Sequence, residues 1–318
     1  YAKVKYKSSF SDEWSINSGV RQGGVLSGIL FNLYIDSLLD RISAKGIGCK
    51  LGLFSSNIVA YADDVVLMAP SALSLQLLIN ETVDEISKLC LKFNSGKTKI
   101  MIFRSDGRNY DNSKINFEID NCKIEIVNSL KYLGYNLMNN MCNIEDMNRV
   151  KQKFYAEFNS VLRHFNFADT KIKLFLFKQY CLQMYGSELW FGGKSEQYVI
   201  RQFAIGYHKA IKKLLGLSMH ESNHYACQEA SLLMFNHMIN NNKLHFIFRI
   251  FYKPCSFIDK LIDFLYVSSF MLSELKTIFR DIYDVENVLD NDLQALTARI
   301  SYVQNHEKQM REQVILET

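Results

Sequence analysis

Apolar and polar positions follow two different periods along the chain, and the change falls near residue 143. Before it, two segments have helical spacing, 28–42 and 72–92, and Ser27 is predicted to cap the first. Short apolar or alternating runs around them predict β-strands, at 2–7, 13–16, 58–60, 65–68, 99–103, 115–119 and 123–127. The first two runs are expected to form a hairpin through residues 8–12. After residue 143 helical spacing dominates, at 144–165, 170–186, 197–215, 224–251 and 257–280. The pattern predicts an α+β first part followed by an all-helical remainder.

The composition is that of a globular protein: 48% of the 318 residues are hydrophobic and 22% are charged. The length suits two compact domains. No run of 18 uncharged apolar residues occurs, so no membrane span is expected. The seven cysteines include no Cys-x-x-Cys pair, which argues against a zinc ribbon or knuckle. The first residues lack an apolar signal-peptide core, so an intracellular location with reduced thiols is expected.

Positive charge is concentrated in the middle of the chain. Residues 145–218 carry 12 Lys/Arg and 6 Asp/Glu, whereas residues 219–318 carry 9 and 13. A surface that contacts phosphates needs such an excess, although a solvated helical face gives similar counts. The distribution is therefore compatible with nucleic-acid binding without requiring it.

Two adjacent carboxylates, Asp63 and Asp64, follow Tyr61 and Ala62 between two strand-like apolar runs. Like charges about 4 Å apart at an effective dielectric near 20 repel by roughly 4 kcal/mol, so a fold that holds them together favours a bound cation. Carboxylate oxygens are hard ligands that suit Mg²⁺. An ordinary exposed Asp-Asp turn would contain the same residues, so the interpretation depends on the neighbouring segments.

A glycine-bearing loop precedes the first predicted helix by a few residues. Gly23 and Gly24 allow the backbone to approach a substrate closely, where a Cβ would obstruct. Arg21 and Gln22 offer donors that suit phosphate and base or sugar groups. A flexible loop in front of a helix is the alternative interpretation.

Lys97 lies in a Gly-Lys-Thr sequence between the second predicted helix and a strand. A phosphate-binding P-loop is not predicted, because its first glycine would fall at Leu91 and because the helix precedes the strand. The segment therefore needs another explanation.

These three segments, in this order, resemble the palm of reverse transcriptases from non-LTR (LINE-type) retrotransposons. Two later segments extend the resemblance to roughly residues 13–235: Lys131-Tyr132-Leu133-Gly134 and Tyr185-Gly186-Ser187-Glu188-Leu189-Trp190. The resemblance implies RNA-templated DNA synthesis by phosphoryl transfer with two Mg²⁺ ions in the intact enzyme. It implies an RNA template, a DNA primer and deoxynucleoside triphosphates as partners.

The same resemblance assigns roles to individual residues. Asp63 and Asp64 would be catalytic metal ligands, and Lys97 would lie near the triphosphate as a catalytic group. Tyr61 and Ala62 would pack beneath primer and template. The glycine loop would line the incoming nucleotide and the template, through Arg21, Gln22, Gly23 and Gly24. A primer-gripping turn would be formed by Lys131, Tyr132, Leu133 and Gly134.

The fold expected from the resemblance is a partial polymerase palm, an antiparallel sheet with packing helices, in residues 1–142. A basic helical thumb would follow in 143–218 and a helical carboxy-terminal region in 219–318. The family's other catalytic aspartate lies on a strand before the glycine loop, and this chain begins too late to contain it. The chain is therefore expected to be an incomplete fragment.

Two alternatives stay open at this point. Another palm polymerase, such as an intron-type maturase, would use similar motifs. A non-catalytic nucleic-acid-binding remnant of a decayed element would keep the motifs without the activity. A nuclear location is expected for the intact protein if it copies its template at a chromosomal target.

Overall fold

The computed structural model describes residues 1–15, 19, 23–51, 54–103, 115–190 and 193–252. They form two compact units. The first takes the described residues of Tyr1–Thr98 and Asp111–Glu125, and the second those of Lys99–Tyr110 and Ile126–Thr318. Helices and strand pairs both occur, so the predicted α+β class is confirmed. Within the described ranges, no helix has the length and apolar character needed to cross a membrane.

Twelve strands and seven α-helices occur among the described residues. The strands are β1 (Lys5–Tyr6), β2 (Ser9–Phe10), β3 (Lys50–Leu51), β4 (Phe54–Ser55), β5 (Ile58–Tyr61), β6 (Asp64–Leu67), β7 (Lys99–Met101), β8 (Glu118–Ile119), β9 (Cys122–Lys123), β10 (Glu125–Val127), β11 (Ser129–Tyr132) and β12 (Tyr135–Met138). The α-helices are α1 (Ser27–Ala44), α2 (Ala72–Lys88), α3 (Ile144–His164), α4 (Thr170–Leu176), α5 (Lys194–Leu215), α6 (Asn223–Glu229) and α7 (Phe235–Tyr252).

The strands pair two by two, and the antiparallel hairpins are β1–β2, β3–β4, β5–β6, β8–β9 and β11–β12. The first hairpin was predicted, but its predicted loop at residues 8–12 is wrong. The chain already reverses at Lys7, which has a φ of 53°, and Lys5 pairs with Phe10. An isolated bridge between Ala2 and Trp14 continues the pairing.

Helix α1 buries only part of its predicted apolar face. Leu38 and Ile42 are buried in the core of the first unit, where β5 and α2 contribute the other buried side chains. The exposed members lie in the amino-terminal half of the helix, namely Ile29, Leu30, Leu33 and Tyr34. Ser27 is the first residue of the helix rather than its predicted cap, and Leu26 precedes it without a capping side chain.

Helix α2 begins and ends with clear local signals. The Ser71 hydroxyl accepts a hydrogen bond from the backbone N–H of Ser74 at 3.2 Å, which satisfies a free donor of the first turn. The helix ends at Lys88 rather than at the predicted residue 92, because Cys90 adopts a φ of 55° that a helix cannot continue. Gln76 on this helix exchanges two hydrogen bonds with the backbone of Glu118, which joins β8 to the unit.

The core of the second unit is aromatic. Phe154 of α3 lies against Phe177 and Phe203, with ring centroids 5.8 and 5.2 Å apart in edge-to-face geometry. Phe203 of α5 in turn contacts Phe235 of α7 at 4.8 Å. These helices therefore share one continuous core.

Two predicted helices are interrupted. The 170–186 helix continues only to Leu176 as α4 and then as a π-helical turn, Phe177–Cys181. The 224–251 helix is divided into α6 and α7, because Ser231 between them takes a φ of 50°. Helix α3 was predicted to within one residue. The predicted 257–280 helix lies outside the described residues.

Candidate active site

The register of the β5–β6 hairpin determines which side chains face solvent. Ile58 pairs with Leu67 and Ala60 with Val65, and this face packs into the core of the first unit. The alternate pairs present the opposite face, and its outermost pair is Tyr61 with Asp64. Tyr61 is 64% exposed. Strand alternation therefore places Tyr61 and Asp64 beside each other on the open side of the hairpin.

The turn of this hairpin consists of Ala62 and Asp63. Ala62 has a φ of 52°, which is unfavourable for a residue with a Cβ. Asp63 and Asp64 are both exposed, and the described residues give neither side chain a hydrogen bond or ion pair. The structure thus brings together the four residues predicted to form the tip of the site.

Two carboxylates are fewer than most metal sites use. Asp63 and Asp64 have the oxygen chemistry that Mg²⁺ prefers, and their exposure leaves their lone pairs open. No group of three His, Cys, Asp or Glu side chains able to hold a metal ion occurs among the described residues. The pair fits a partial ligand set for Mg²⁺, to which further oxygen ligands would have to be added.

Asn57 anchors the base of the hairpin, and sequence reasoning missed it. Its side chain is fully buried and donates to the carbonyl oxygens of Ile42 at 3.0 Å and Ile47 at 2.7 Å. Gly48 passes so close that a Cβ there would lie 2.7 Å from Asn57 Cβ. In the sequence Asn57 follows two serines, which is typical of a loop, so no local signal marked it as buried.

Lys97 lies in a turn that Asn94 organises. The backbone N–H of Lys97 donates to the Asn94 carbonyl at 3.0 Å and to its side-chain oxygen at 3.2 Å. The preceding Phe93 packs on the same core as Val65 and Leu67 of β6. The Lys97 turn and the Asp-Asp hairpin are therefore built on one core, and the Lys97 side chain is exposed.

The glycine loop is described only in part. Gly23, with a φ of 78°, and Gly24 lie just before α1 in the same unit as the hairpin. The Gly24 carbonyl accepts a hydrogen bond from Ser27 at 3.2 Å, which sets the start of the helix. Arg21 and Gln22 lie outside the described residues.

The predicted primer-gripping residues form the tip of the β11–β12 hairpin in the second unit. Lys131 and Tyr132 end β11, and Leu133 and Gly134 form the turn with φ values of 46° and 84°. Tyr185 covers this turn: its hydroxyl donates to the Leu133 carbonyl at 2.8 Å. The structure thus makes these four residues one tight turn.

Comparison with known proteins finds similarity over part of the chain. Residues 4–137 match the family described as reverse transcriptase (RNA-dependent DNA polymerase). The chain is 44% identical over 87 residues to the retrovirus-related Pol polyprotein from type-2 retrotransposable element R2DM of Drosophila melanogaster, a segment that covers 27% of this chain and 8% of that protein. It is 29% identical over 164 residues to the Pol polyprotein from type-1 retrotransposable element R2 of Popillia japonica, covering 44% and 26%. A transposon-derived protein of Caenorhabditis elegans is 29% identical over 166 residues, covering 50% and 56%. No solved structure matches the chain.

Three of the relatives, among them the Drosophila and Popillia proteins, are Pol polyproteins of R2 elements, so the predicted resemblance to non-LTR retrotransposon reverse transcriptases is confirmed. The matched segments cover less than two thirds of each of these relatives, from 8% to 56%.

Proposed function

We propose that this chain contributes the later palm and the thumb of an RNA-directed DNA polymerase of a non-LTR retrotransposon. The observation that carries the proposal is the β5–β6 hairpin, which presents Tyr61, Asp63 and Asp64 together at an open tip. The family match of residues 4–137 supports it, because the hairpin lies within the matched segment.

Asp63 and Asp64 would hold Mg²⁺. When bound, the metal would neutralise charge on the nucleotide's phosphates and favour attack by the primer hydroxyl. The chain's own contribution is positioning: the rigid hairpin base at Asn57 keeps the two carboxylates at one place on the unit. Lys97 would meet the triphosphate from its Asn94 turn as a mobile cation, since its side chain is exposed.

The substrate contacts follow from the exposed residues near the hairpin. Tyr61 offers an open ring on which a nucleotide at the primer end can pack. Gly23 and Gly24, with Arg21 and Gln22, would line the incoming nucleotide and the template. The RNA template, the DNA primer and the nucleotides are the proposed partners, and a nuclear location is proposed for the intact protein.

The helices of residues 143–218 supply the proposed thumb. Their exposed cations are spread over three helices, namely Lys153, Arg163, Lys171, Lys194, Arg201, Lys209 and Lys213. Exposed cations of this kind bind phosphates in a salt-dependent way. Residues 1–142 are proposed as palm and residues 219–318 as a helical carboxy-terminal region.

Primer extension tests the proposal. The purified chain is tested in two forms, alone and joined to the upstream segment of the Drosophila melanogaster R2 relative. Each form is mixed with an RNA template, a labelled DNA primer, nucleotides and Mg²⁺. Asp63→Asn and Asp64→Asn should each lower extension at least 100-fold, because the carboxylate charge at the metal is lost. Asp40→Asn, which removes an exposed carboxylate on α1, is the matched control and should leave extension unchanged.

Three outcomes decide between the alternatives. Extension that survives both hairpin substitutions would contradict the proposed site. Duplex binding without extension in either form would support the non-catalytic remnant instead. Extension by the 318-residue chain alone would contradict the expectation that a third carboxylate lies elsewhere.

A further inference from the structure

The turn Lys131–Gly134 is held from outside its own hairpin. Tyr185 lies 52 residues away in sequence, yet its hydroxyl donates to the Leu133 carbonyl at 2.8 Å. Its ring also lies over Gly134, where a Cβ would come within 3.1 Å of the ring edge. Gly134 therefore leaves the space that the Tyr185 ring fills.

The backbone of Tyr185 is itself held by an ion pair. The Tyr185 carbonyl accepts a hydrogen bond from the Arg149 guanidinium at 3.3 Å. The same guanidinium pairs with Asp146, with Nε and a terminal nitrogen 2.8 and 2.6 Å from one carboxylate oxygen. Arg149 thus connects α3 directly to the residue that covers the turn.

Asp146 is the centre of this arrangement. It is fully buried, and besides Arg149 it accepts the backbone N–H of Asn136 at 3.1 Å and the indole N–H of Trp190 at 3.1 Å. One carboxylate therefore joins α3, strand β12 and the segment that follows Tyr185. Burying a charge is costly unless it is paired and hydrogen-bonded, and here four N–H donors surround it, three at one oxygen and one at the other.

The neighbouring contacts make the arrangement stiff. Gly186 has a φ of 94°, and a Cβ there would lie 2.8 Å from the Tyr135 ring and 3.1 Å from Asp146. The Tyr135 hydroxyl donates to the side-chain oxygen of Asn143, whose side chain donates to Glu196 of α5 at 3.1 Å. The first residues of β12 are therefore fixed to both α3 and α5.

We propose that Asp146, Arg149 and Tyr185 are positioning residues that hold the turn Lys131–Gly134 in the form that contacts the primer strand. The inference rests on the proposed function for the role of the turn, and on the contacts above for how it is held. All three act on the position of the turn and none on the reacting atoms. Tyr185 acts on the Leu133 carbonyl, and the buried ion pair acts on Tyr185.

Tyr185→Phe is the sharpest test, because it removes only the hydroxyl and keeps the ring over Gly134. In the full 318-residue chain, backbone amides of residues 132–135 should exchange with deuterium about 5-fold faster, the effect of one lost hydrogen bond. The Kd for a fluorescent RNA–DNA duplex with a recessed DNA 3′ end should rise by up to the same factor, because the turn is less often in the form that binds. In primer extension by the chain joined to the upstream segment, the KM for duplex should rise, while the KM for nucleotide stays unchanged.

Two further variants separate positioning from folding. Tyr225→Phe removes a hydroxyl from an exposed tyrosine of α6, outside the proposed thumb, and should change none of these quantities. Arg149→Lys keeps a cation beside Asp146 but loses the fork that reaches the Tyr185 carbonyl. It should therefore reproduce the Tyr185→Phe pattern while the chain stays folded by circular dichroism.

Unchanged exchange at residues 132–135 in Tyr185→Phe would overturn the positioning role. Faster exchange with an unchanged duplex Kd would overturn the claim that the held turn contacts the primer. If the wild-type chain does not bind the duplex and its joined form does not extend it, the proposed function fails, while the exchange measurement still decides whether Tyr185 holds the turn.

Discussion

Gly48 lies at the base of the proposed catalytic hairpin, and replacing it with alanine should weaken the first unit. Its φ is 99°, and a Cβ there would lie 2.7 Å from both Asn57 Cβ and the Met68 carbonyl oxygen. Gly46, two residues earlier, provides a matched comparison. Its φ is 67°, but the nearest atom to its Cβ would be the flexible end of Lys50 at 3.6 Å.

The two substitutions share the conformational cost and differ in the space available. An alanine at positive φ costs about 1–2 kcal/mol, and a smaller unfolded-state entropy offsets about 0.4–1 kcal/mol of it. Gly46→Ala should therefore destabilise by about 1 kcal/mol. Gly48→Ala adds overpacking against a backbone carbonyl and a buried side chain, about 1–3 kcal/mol more. We expect a loss of about 2–4 kcal/mol.

Hydrogen exchange of the amides in β5 and β6 of the full chain measures the free energy of opening of this unit. Gly48→Ala should lower it by the stated amount, and Gly46→Ala by clearly less. Gly28→Ala, inside α1 with open space around it, should raise it by about 0.5–1 kcal/mol. Equal effects of the Gly46 and Gly48 substitutions would refute the close approach of Gly48 and Asn57.

Three other predictions concern individual side chains. Burial, with a smaller contribution from Glu157, raises the pKa of Cys181 to about 12, so at pH 8 its thiolate fraction is on the order of 10⁻⁴. A thiol reagent should modify exposed Cys90 and spare Cys181 until urea unfolds the chain, which mass spectrometry can measure. Equal modification of both cysteines in the folded chain would contradict the burial of Cys181. Burial, and to a smaller extent the charge of Lys212, lowers the pKa of His208. Since the unfolded-state value is about 6.5, stability should be constant above that pH and decrease as the pH falls below it, when only the unfolded chain takes up the proton. His208→Phe should flatten this dependence in thermal unfolding between pH 5 and 7, and an unchanged slope would assign it to another group. Finally, Ala62→Val should destabilise the hairpin by about 1–2 kcal/mol, because a β-branched residue tolerates positive φ poorly. Ala62→Gly, the reverse of the change at Gly46, should stabilise it by about 1 kcal/mol in urea unfolding, and a loss of stability in that variant would contradict the strained turn.

The β5–β6 hairpin could be predicted from the sequence because its information is local. Apolar runs of strand length flank a two-residue turn, and alternation alone decides that Asp64 shares a face with Tyr61. Helix α3 was predictable for a similar reason, since its apolar side chains recur at helical spacing from Met147 to Val161. Both elements needed no knowledge of their partners.

Other features depend on distant partners, and local patterns do not contain them. Periodicity identified the apolar face of α1, but not that its core neighbours would cover Leu38 and Ile42 and leave Ile29 exposed. The break between α6 and α7 depends on Ser231, whose backbone lies in the left-handed region. Nothing about a serine side chain predicts that conformation. Asn57 similarly acquires its role only when α1 ends beside it.

Asp146 is the clearest example of a residue whose role depends on distant partners and cannot be predicted from the local sequence. In the sequence it is one acidic residue in the first turn of a helix, where a carboxylate is favoured by the helix dipole and is normally solvated. In the structure it is fully buried, and Trp190, one of its donors, lies 44 residues away. A buried charge gains little net stability over a well-packed apolar residue, so stability alone does not explain its use here. The carboxylate instead positions its neighbours. Its oxygens fix where Asn136 and Arg149 lie, and through them where the turn at Leu133 lies. The exposed carboxylates of the hairpin could be found because their chemistry is local, whereas this one required the fold.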